Sequence, residues 1–367
     1  MSELLPITIT SIILAWLSQH VNTRKLTEDG QYKKDWIIYA VMAVCMILFA
    51  GLRTGFNDTE TYLNTYQTTS YDSSISWKLG NNPGYSIVIK LLKLANFSGQ
   101  SYLMFYALFI IGIYLWFIRK YSTNLWLSIF LLFTAGCYVF SLAAIKQCAA
   151  IAFGLLATDR YIRKRYIPFA VYLLIGMLFH PYVLMFFLIP ILDFHPWTVK
   201  TWIILGAFFI AGILLQPLLG TVINITAMLG ESFNIEEFSG EGVNPFRLAV
   251  VSVPVVISFF TRRIIRDENN RIQNLILNLT MMNATIMFVG LFGTANYFAR
   301  LANYFLIFQC LSLPWLLNQF EHRTKRILTC LAIVCFIVFF VYENSLHGSF
   351  NNNYSAISLI DYIKSLL

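Results

Sequence analysis

WIIYAVMAVCMILFAGLRTGFNDTETY, residues 36–62, opens with seventeen residues free of charge and then sets Arg53, Asp58, Glu60 and Tyr62 within the next ten. Seventeen helical residues rise about 26 Å, close to the ~30 Å hydrocarbon core of a bilayer. The polar stretch therefore starts at a membrane edge, where a charge costs free energy unless it is paired or used. This stretch decides the fold class and marks the first place to look for chemistry.

Comparable apolar stretches lie at 4–19, 101–118, 124–140, 142–158, 167–180, 181–195, 202–219, 244–260, 272–291, 300–317 and 328–343. With 36–52 they predict an all-α polytopic membrane protein of about 12 transmembrane helices, in which the short pair meeting at His180-Pro181 reads as broken or re-entrant. Of the 367 residues, 58% are hydrophobic and 12% charged, and mean hydropathy is +0.66. A soluble domain of this length carries more charge on its exterior. Residues 1–367 read as a single integral membrane domain.

Basic residues set the orientation. Eighteen of the 26 Lys and Arg fall in stretches that alternate to one side, among them Arg24, Lys25, Lys33, Lys34, Arg119, Lys120 and the run RYIRKRY at 160–166. This predicts that side as cytoplasmic, with both termini outside the cytoplasmic membrane. The net charge of +8 is then a topology signal and not a nucleic-acid footprint. Met1-Ser-Glu leads straight into the first span without a basic region, which predicts an uncleaved helix. The six cysteines lie in apolar runs without metal-like spacing and read as small core residues.

The long loops fall on the outer side. Residues 53–100 are polar at first; from Pro83 onward Tyr85, Val88, Ile89, Leu92 and Leu94 recur at roughly helical spacing, which predicts a helix lying in the outer interface. Residues 220–243 are Gly-rich and acidic, with Glu231, Glu236, Glu237 and Glu241. The tail, 344–367, ends in an amphipathic stretch from Tyr354. Function is expected among these loops.

Topology leaves eight basic residues on the outer side, and four of them stand at helix ends: Arg53, Lys146, Arg247 and Arg300. Singly, each can snorkel to the headgroups. Together they point to an outward-facing anion site, and His180 is the histidine placed to join them. Guanidinium and ammonium groups without a metal set suit a phosphate or pyrophosphate. No DxD, HExxH, GxxxxGK[ST] or Cys/His metal spacing occurs, so neither metal nor cofactor is expected. Without ATP outside the cell, an enzyme there needs an activated donor, and a lipid-linked pyrophosphate sugar is one.

At this point an ordered set of motifs resembles the EpsG family, Wzy-type polysaccharide polymerases of exopolysaccharide and capsule clusters. GLRTGFNDTETY resembles its G-x-R…D-x-x-x-Y signature. Asn82-Pro-Gly-Tyr85 resembles Glu-Pro-Gly-Tyr/Phe, Ala144-Ile-Lys-Gln147 an Ile-Arg-Gln, Leu178-Phe-His-Pro181 a Phe-His-x-Ser, and Ala299-Arg-Leu-Ala-Asn-Tyr-Phe305 an Arg-x-x-x-Tyr-Phe. Lys146 departs by replacing arginine, Asn82 by replacing glutamate, and Pro181 by following the histidine.

The resemblance implies a GT-C-like helical glycosyltransferase. It would move a growing glycan from undecaprenyl pyrophosphate onto the non-reducing end of a lipid-linked repeat unit, beside a flippase and a chain-length regulator. It implies Arg53, Lys146 and Arg300 as pyrophosphate ligands, with Arg247 as a weaker one. His180 is either a further ligand or the base, and Asp58 or Glu60 is the competing base. Tyr62, Tyr304 and Trp77 are candidates to stack on sugar rings, against an ordinary aromatic belt. An O-antigen-ligase-like transferase, an oligosaccharide flippase and a membrane acyltransferase remain alternatives. A flippase is expected to show repeats and midplane charges.

Overall fold

The computed structural model describes residues 2–21, 35–228, 242–292, 295–347 and 353–366. Arg24, Lys25, Lys33 and Lys34 lie outside the described residues, as do Glu231, Glu236, Glu237 and Glu241.

The chain begins with α1 (Leu4–His20) and α2 (Trp36–Gly51), followed by a short strand β1 (Arg53–Gly55). The predicted outer loop is folded as α3 (Thr59–Thr68), a 3-10 turn (Leu79–Asn81) and α4 (Pro83–Leu94). Next come α5 (Gly99–Tyr121), α6 (Leu125–Thr134), α7 (Cys137–Ala143), α8 (Ile145–Ile162) and α9 (Tyr166–Met177). A 3-10 helix (Pro181–Leu188) runs into α10 (Ile189–Leu192), and α11 (Val199–Met228) follows. The last third holds α12 (Pro245–Phe260), α13 (Arg262–Glu268), α14 (Arg271–Val289), α15 (Ala295–Ala302), α16 (Leu306–Leu317) and α17 (His322–Val341), which passes into a π-helical turn (Tyr342–His347). The tail contributes β2 (Ser355–Ala356) and α18 (Leu359–Lys364).

All twelve apolar stretches thus contain helix, and the protein is an all-α membrane protein apart from the β1–β2 pair. By length and composition three helices are able to cross a membrane, or up to five if the bent pairs α6–α7 (49°) and α12–α13 (70°) each count as one, against the twelve expected. Six further apolar helical stretches run only 10–17 residues, and breaks in the chain end several of the apolar runs early. Gly136, at φ +89°, splits the predicted 124–140 span in two, a backbone conformation that suits glycine. The expected break at His180-Pro181 is present: α9 stops at Met177 and a 3-10 helix takes over.

The helices bury the faces their periodicity predicts. In α5, Tyr102, Tyr106, Ile110, Tyr114, Phe117 and Tyr121 form a buried stripe at spacings of three and four. Caps fix the helix starts: Asp35 accepts from Ile37 N–H and Ile38 N–H at 2.9 and 3.0 Å, and Ser98 accepts from Ser101 N–H at 3.1 Å. The long helix α14 is largely buried and packs against α11, α12, α15 and α16. Its buried amides donate to backbone left open by breaks elsewhere. Asn278 Nδ2 reaches the carbonyls of Leu192 (2.7 Å) and Phe194 (2.8 Å), and Asn283 Nδ2 reaches that of Ala302 (2.6 Å).

Two edges are separated by α5 and α8, of 23 and 18 residues, so by about 27–35 Å. At one edge Lys120 and Arg163 pair with buried Asp159, and Arg271 pairs with Asp193. At the other, the start of α5, the start of α8 and the end of α2 come together around β1.

Candidate active site

Arg53 follows the last turn of α2, where carbonyls lack helical partners. Its guanidinium turns back to donate to the Ala50 carbonyl, and its Nε donates to Thr59 Oγ1 at 3.1 Å. Gln100 Nε2 holds the same junction by donating to the Arg53 carbonyl at 3.0 Å. The tail then closes over it. β2 pairs antiparallel with β1, Ile357 N–H donates to the Leu52 carbonyl at 3.0 Å, and the Tyr354 ring stacks on Phe49 at 4.6 Å. Arg53 is left 2% exposed. Burial lowers its pKa to about 10, so it stays charged at neutral pH. The expectation of Arg53 as an accessible anion ligand therefore gives way to a buried anchor for the α2–α3 junction.

Thr59 also takes over the start of α3, its hydroxyl donating to the Phe56 carbonyl at 2.7 Å. Asp58 occupies the N-cap position without making a capping bond, and its side chain is exposed. Its charge acts on Tyr62 and on Lys146. Glu60 is exposed in the first turn of the same helix. Tyr62 is 8% exposed; Ile145 N–H, the first of α8, donates to its oxygen, and its ring packs edge-on at 6.1 Å against Tyr85.

Lys146 is the second residue of α8. Its ammonium lies 4.7 Å from the Tyr85 ring centroid, a cation–π contact at a helix N-terminus, where the helix dipole is itself positive. Gln147, beside it, is buried, and its Nε2 donates to the Arg300 carbonyl at 2.6 Å. With Asn283 on Ala302, this fixes the end of α15, which carries the exposed Arg300 side chain.

Residues 82–85 lock the remaining element. Asn82 adopts a left-handed conformation (φ +51°), Pro83 starts α4, and Gly84 N–H donates to the Leu178 carbonyl at 2.8 Å. A Cβ on Gly84 would lie 2.8 Å from Leu178 Cβ, so the two backbones approach as closely as glycine permits. Two residues on, in the connection after α9, His180 Nδ1 is hydrogen-bonded to Tyr304 Oη at 2.7 Å. Burial, reinforced by the positive charges of Arg300 and Lys146, lowers the His180 pKa to about 4. The imidazole is neutral at physiological pH, and its Nδ1 is already engaged.

Asp58, Tyr62, Lys146, His180, Arg300 and Tyr304 are thus gathered at one edge by four separate segments. Four expected site residues stand in a different setting from the one expected. Arg53 is sealed beneath the tail. Arg247 forms a two-pronged ion pair with Glu343, Nε lying 3.3 Å from Oε1. Tyr304 is completely buried, so its ring has no face for a sugar and it serves His180 instead. Trp77 is 69% exposed, and among the described residues no hydrogen bond or ring contact joins it to the cluster. Gln147 and Asn283 had no assigned role; the sequence signal was an amide inside an apolar run, which needs a partner once buried.

Fold and site together define an α-helical membrane protein with basic groups gathered at one edge. The EpsG family model matches residues 36–358, and the chain belongs to the EpsG family. Membership makes it a membrane protein of the polysaccharide-polymerase type, and the match takes in every segment of the cluster. No curated protein and no solved structure matches the chain.

Proposed function

We propose that this chain is a glycan polymerase of the outer face of the cytoplasmic membrane. It transfers a growing chain from undecaprenyl pyrophosphate to the non-reducing end of a lipid-linked repeat unit. The observation that carries this reading is the meeting of Lys146, Arg300 and neutral His180, with Asp58, at the edge opposite the Asp159-paired basic residues. The spacing of the two edges, about one bilayer, and the positive-inside bias of the sequence support an outer position for the cluster.

Lys146 and Arg300 take the donor pyrophosphate. Burial is the larger cause that keeps His180 unprotonated, but a dianion set between the two cations offsets the repulsion that adds to it, so donor binding raises the basicity of the ring. His180 Nε2 then accepts the proton of the acceptor hydroxyl, whose oxygen attacks the anomeric carbon of the donor. The bond from that carbon to the pyrophosphate oxygen breaks, and the charge left on undecaprenyl pyrophosphate is held by the two cations. Tyr304 orients the imidazole, and Arg53 with Gln147 holds the segments that carry the reacting groups. Asp58 faces Lys146 while the donor is absent.

Purified protein in liposomes with a lipid-linked repeat unit, and with no nucleotide, tests this. Formation of a ladder of longer lipid-linked glycans is expected. Movement of the lipid across the bilayer without new glycosidic bonds would show a transporter instead and overturn the proposal.

A further inference from the structure

Beside the basic cluster lies a cavity of about 240 Å³ whose lining carries a different chemistry. It is lined by the turn after β1, the α6–α7 break, the start of α12, the α15–α16 junction and the end of α17. Arg247 and Glu343 both line it, and their ion pair leaves that wall without net charge. The side chains of Asn57 and Asn303 add amides, each with donors and an acceptor. Phe140 and Phe339 supply apolar surface.

We propose that this cavity binds one uncharged sugar ring of the lipid-linked substrate, a deepening that rests on the polymerase reading above. Charge separates it from the pyrophosphate site: an anion gains little from an arginine already held by a carboxylate. Size sets the ligand. The volume equals about eight waters at ~30 Å³ each, below the ~300 Å³ at which drug-sized pockets begin, and suits a single hexose. A hexose presents hydroxyls that both donate and accept, matching amides and an Arg–Glu pair, and C–H faces that pack on phenylalanine. Position connects the two sites. Asn57 adjoins Asp58, and Asn303 stands one helical turn beyond Arg300, so a ring in the cavity lies next to the reacting groups.

The test uses the full chain in phospholipid nanodiscs and saturation-transfer NMR. Glucose, galactose, N-acetylglucosamine and N-acetylgalactosamine serve as probes, with inorganic pyrophosphate as competitor. Transfer to at least one sugar is expected, undiminished by pyrophosphate. Ala143→Leu, which fills the cavity from its α7 wall while keeping the ion pair, is expected to reduce it at least tenfold, and Glu343→Gln to weaken it. Leu108→Ala, on the exposed face of α5, is expected to leave it unchanged. No transfer to any of the four sugars, transfer that survives Ala143→Leu, or displacement by pyrophosphate would each overturn the proposal. The probes carry no phosphate and no chain extension is measured, so the outcome is independent of whether the polymerase reading holds.

Discussion

Replacing Gly84 by alanine sets two effects of opposite sign against each other, and the geometry decides between them. An alanine in a helix is favoured over glycine by at most about 1 kcal/mol, and by less in the first turn. Against this, the new Cβ would lie 2.8 Å from Leu178 Cβ and 3.1 Å from that residue's carbonyl carbon and oxygen. No flexible side-chain end is available to swing away, so the backbones must part. Overpacking of this kind costs about 1–3 kcal/mol. Stretching the Gly84 N–H to Leu178 bond, now 2.8 Å, costs about 1 kcal/mol more. Gly84→Ala should therefore destabilise by roughly 1–3 kcal/mol. Because His180 is two residues past Leu178, the displacement reaches the proposed base, and a shift near 1 Å can lower a rate about 100-fold. Thermal unfolding in nanodiscs and ladder formation from lipid-linked repeat units are the assays. Gly112→Ala in α5 is the control, since nothing lies within 4 Å of its added Cβ, and it should be neutral or stabilising. If Gly84→Ala matches wild type in both assays, or if the two variants behave alike, the close approach of α4 to the His180 segment is not what positions the ring.

Tyr304→Phe removes the partner of His180 Nδ1 at a fully buried position, and should cost about 1–3 kcal/mol of stability with a tenfold or greater loss in chain extension; an unchanged ladder would assign the bond to packing alone. Lys146→Ala should abolish extension and Lys146→Arg should preserve a measurable rate, because charge, more than the shape of the ammonium, is what the start of α8 supplies; quantifying both ladders at equal expression checks this. The pH dependence follows from His180, whose folded pKa of about 4 lies below its ordinary value near 6.5. The folded state binds fewer protons, so its stability contribution is full above 6.5 and is lost as pH falls toward 4. The acid limb of kcat/KM should accordingly fall near pH 4 rather than 6.5, and a limb at 6.5 would place the ring in a more exposed, less cationic setting.

The sequence made the helices legible because each rests on local periodicity and composition, and the cluster was legible through the ordered motifs that carry the family resemblance. What it withheld depends on partners far along the chain. Arg53 stands at a helix end in the sequence, yet it is sealed because Tyr354, Ser355 and Ala356, some 300 residues later, fold back onto Phe49 and β1. Arg247 looks like a free outer cation until Glu343 closes on it. Tyr304 sits in an ordinary apolar run, and only the fold shows that its hydroxyl meets His180. Gly136 carries no signal for a left-handed break, since a glycine inside an apolar helix is otherwise tolerated.

The charges at the two edges differ in how they are compensated. At the basic edge, Lys120 and Arg163 share Asp159, which is 1% exposed, and Arg271 has Asp193. Asp159 is buried and Asp193 half-buried, each against its cations, so that arrangement is complete without a ligand. At the site edge Arg247 has such a partner, whereas Lys146 and Arg300 form no ion pair among the described residues. Asp58 acts on Lys146 from an exposed position, and an exposed carboxylate in water stabilises a cation only weakly. Leaving Lys146 half-buried in this way costs free energy that an arriving anion recovers. On the proposed mechanism, the same arrival offsets the positive charges that add to burial in holding His180 neutral. A site whose cations were already matched would do neither, and this asymmetry, more than the number of basic residues, is what favours a transferase of anionic lipid donors.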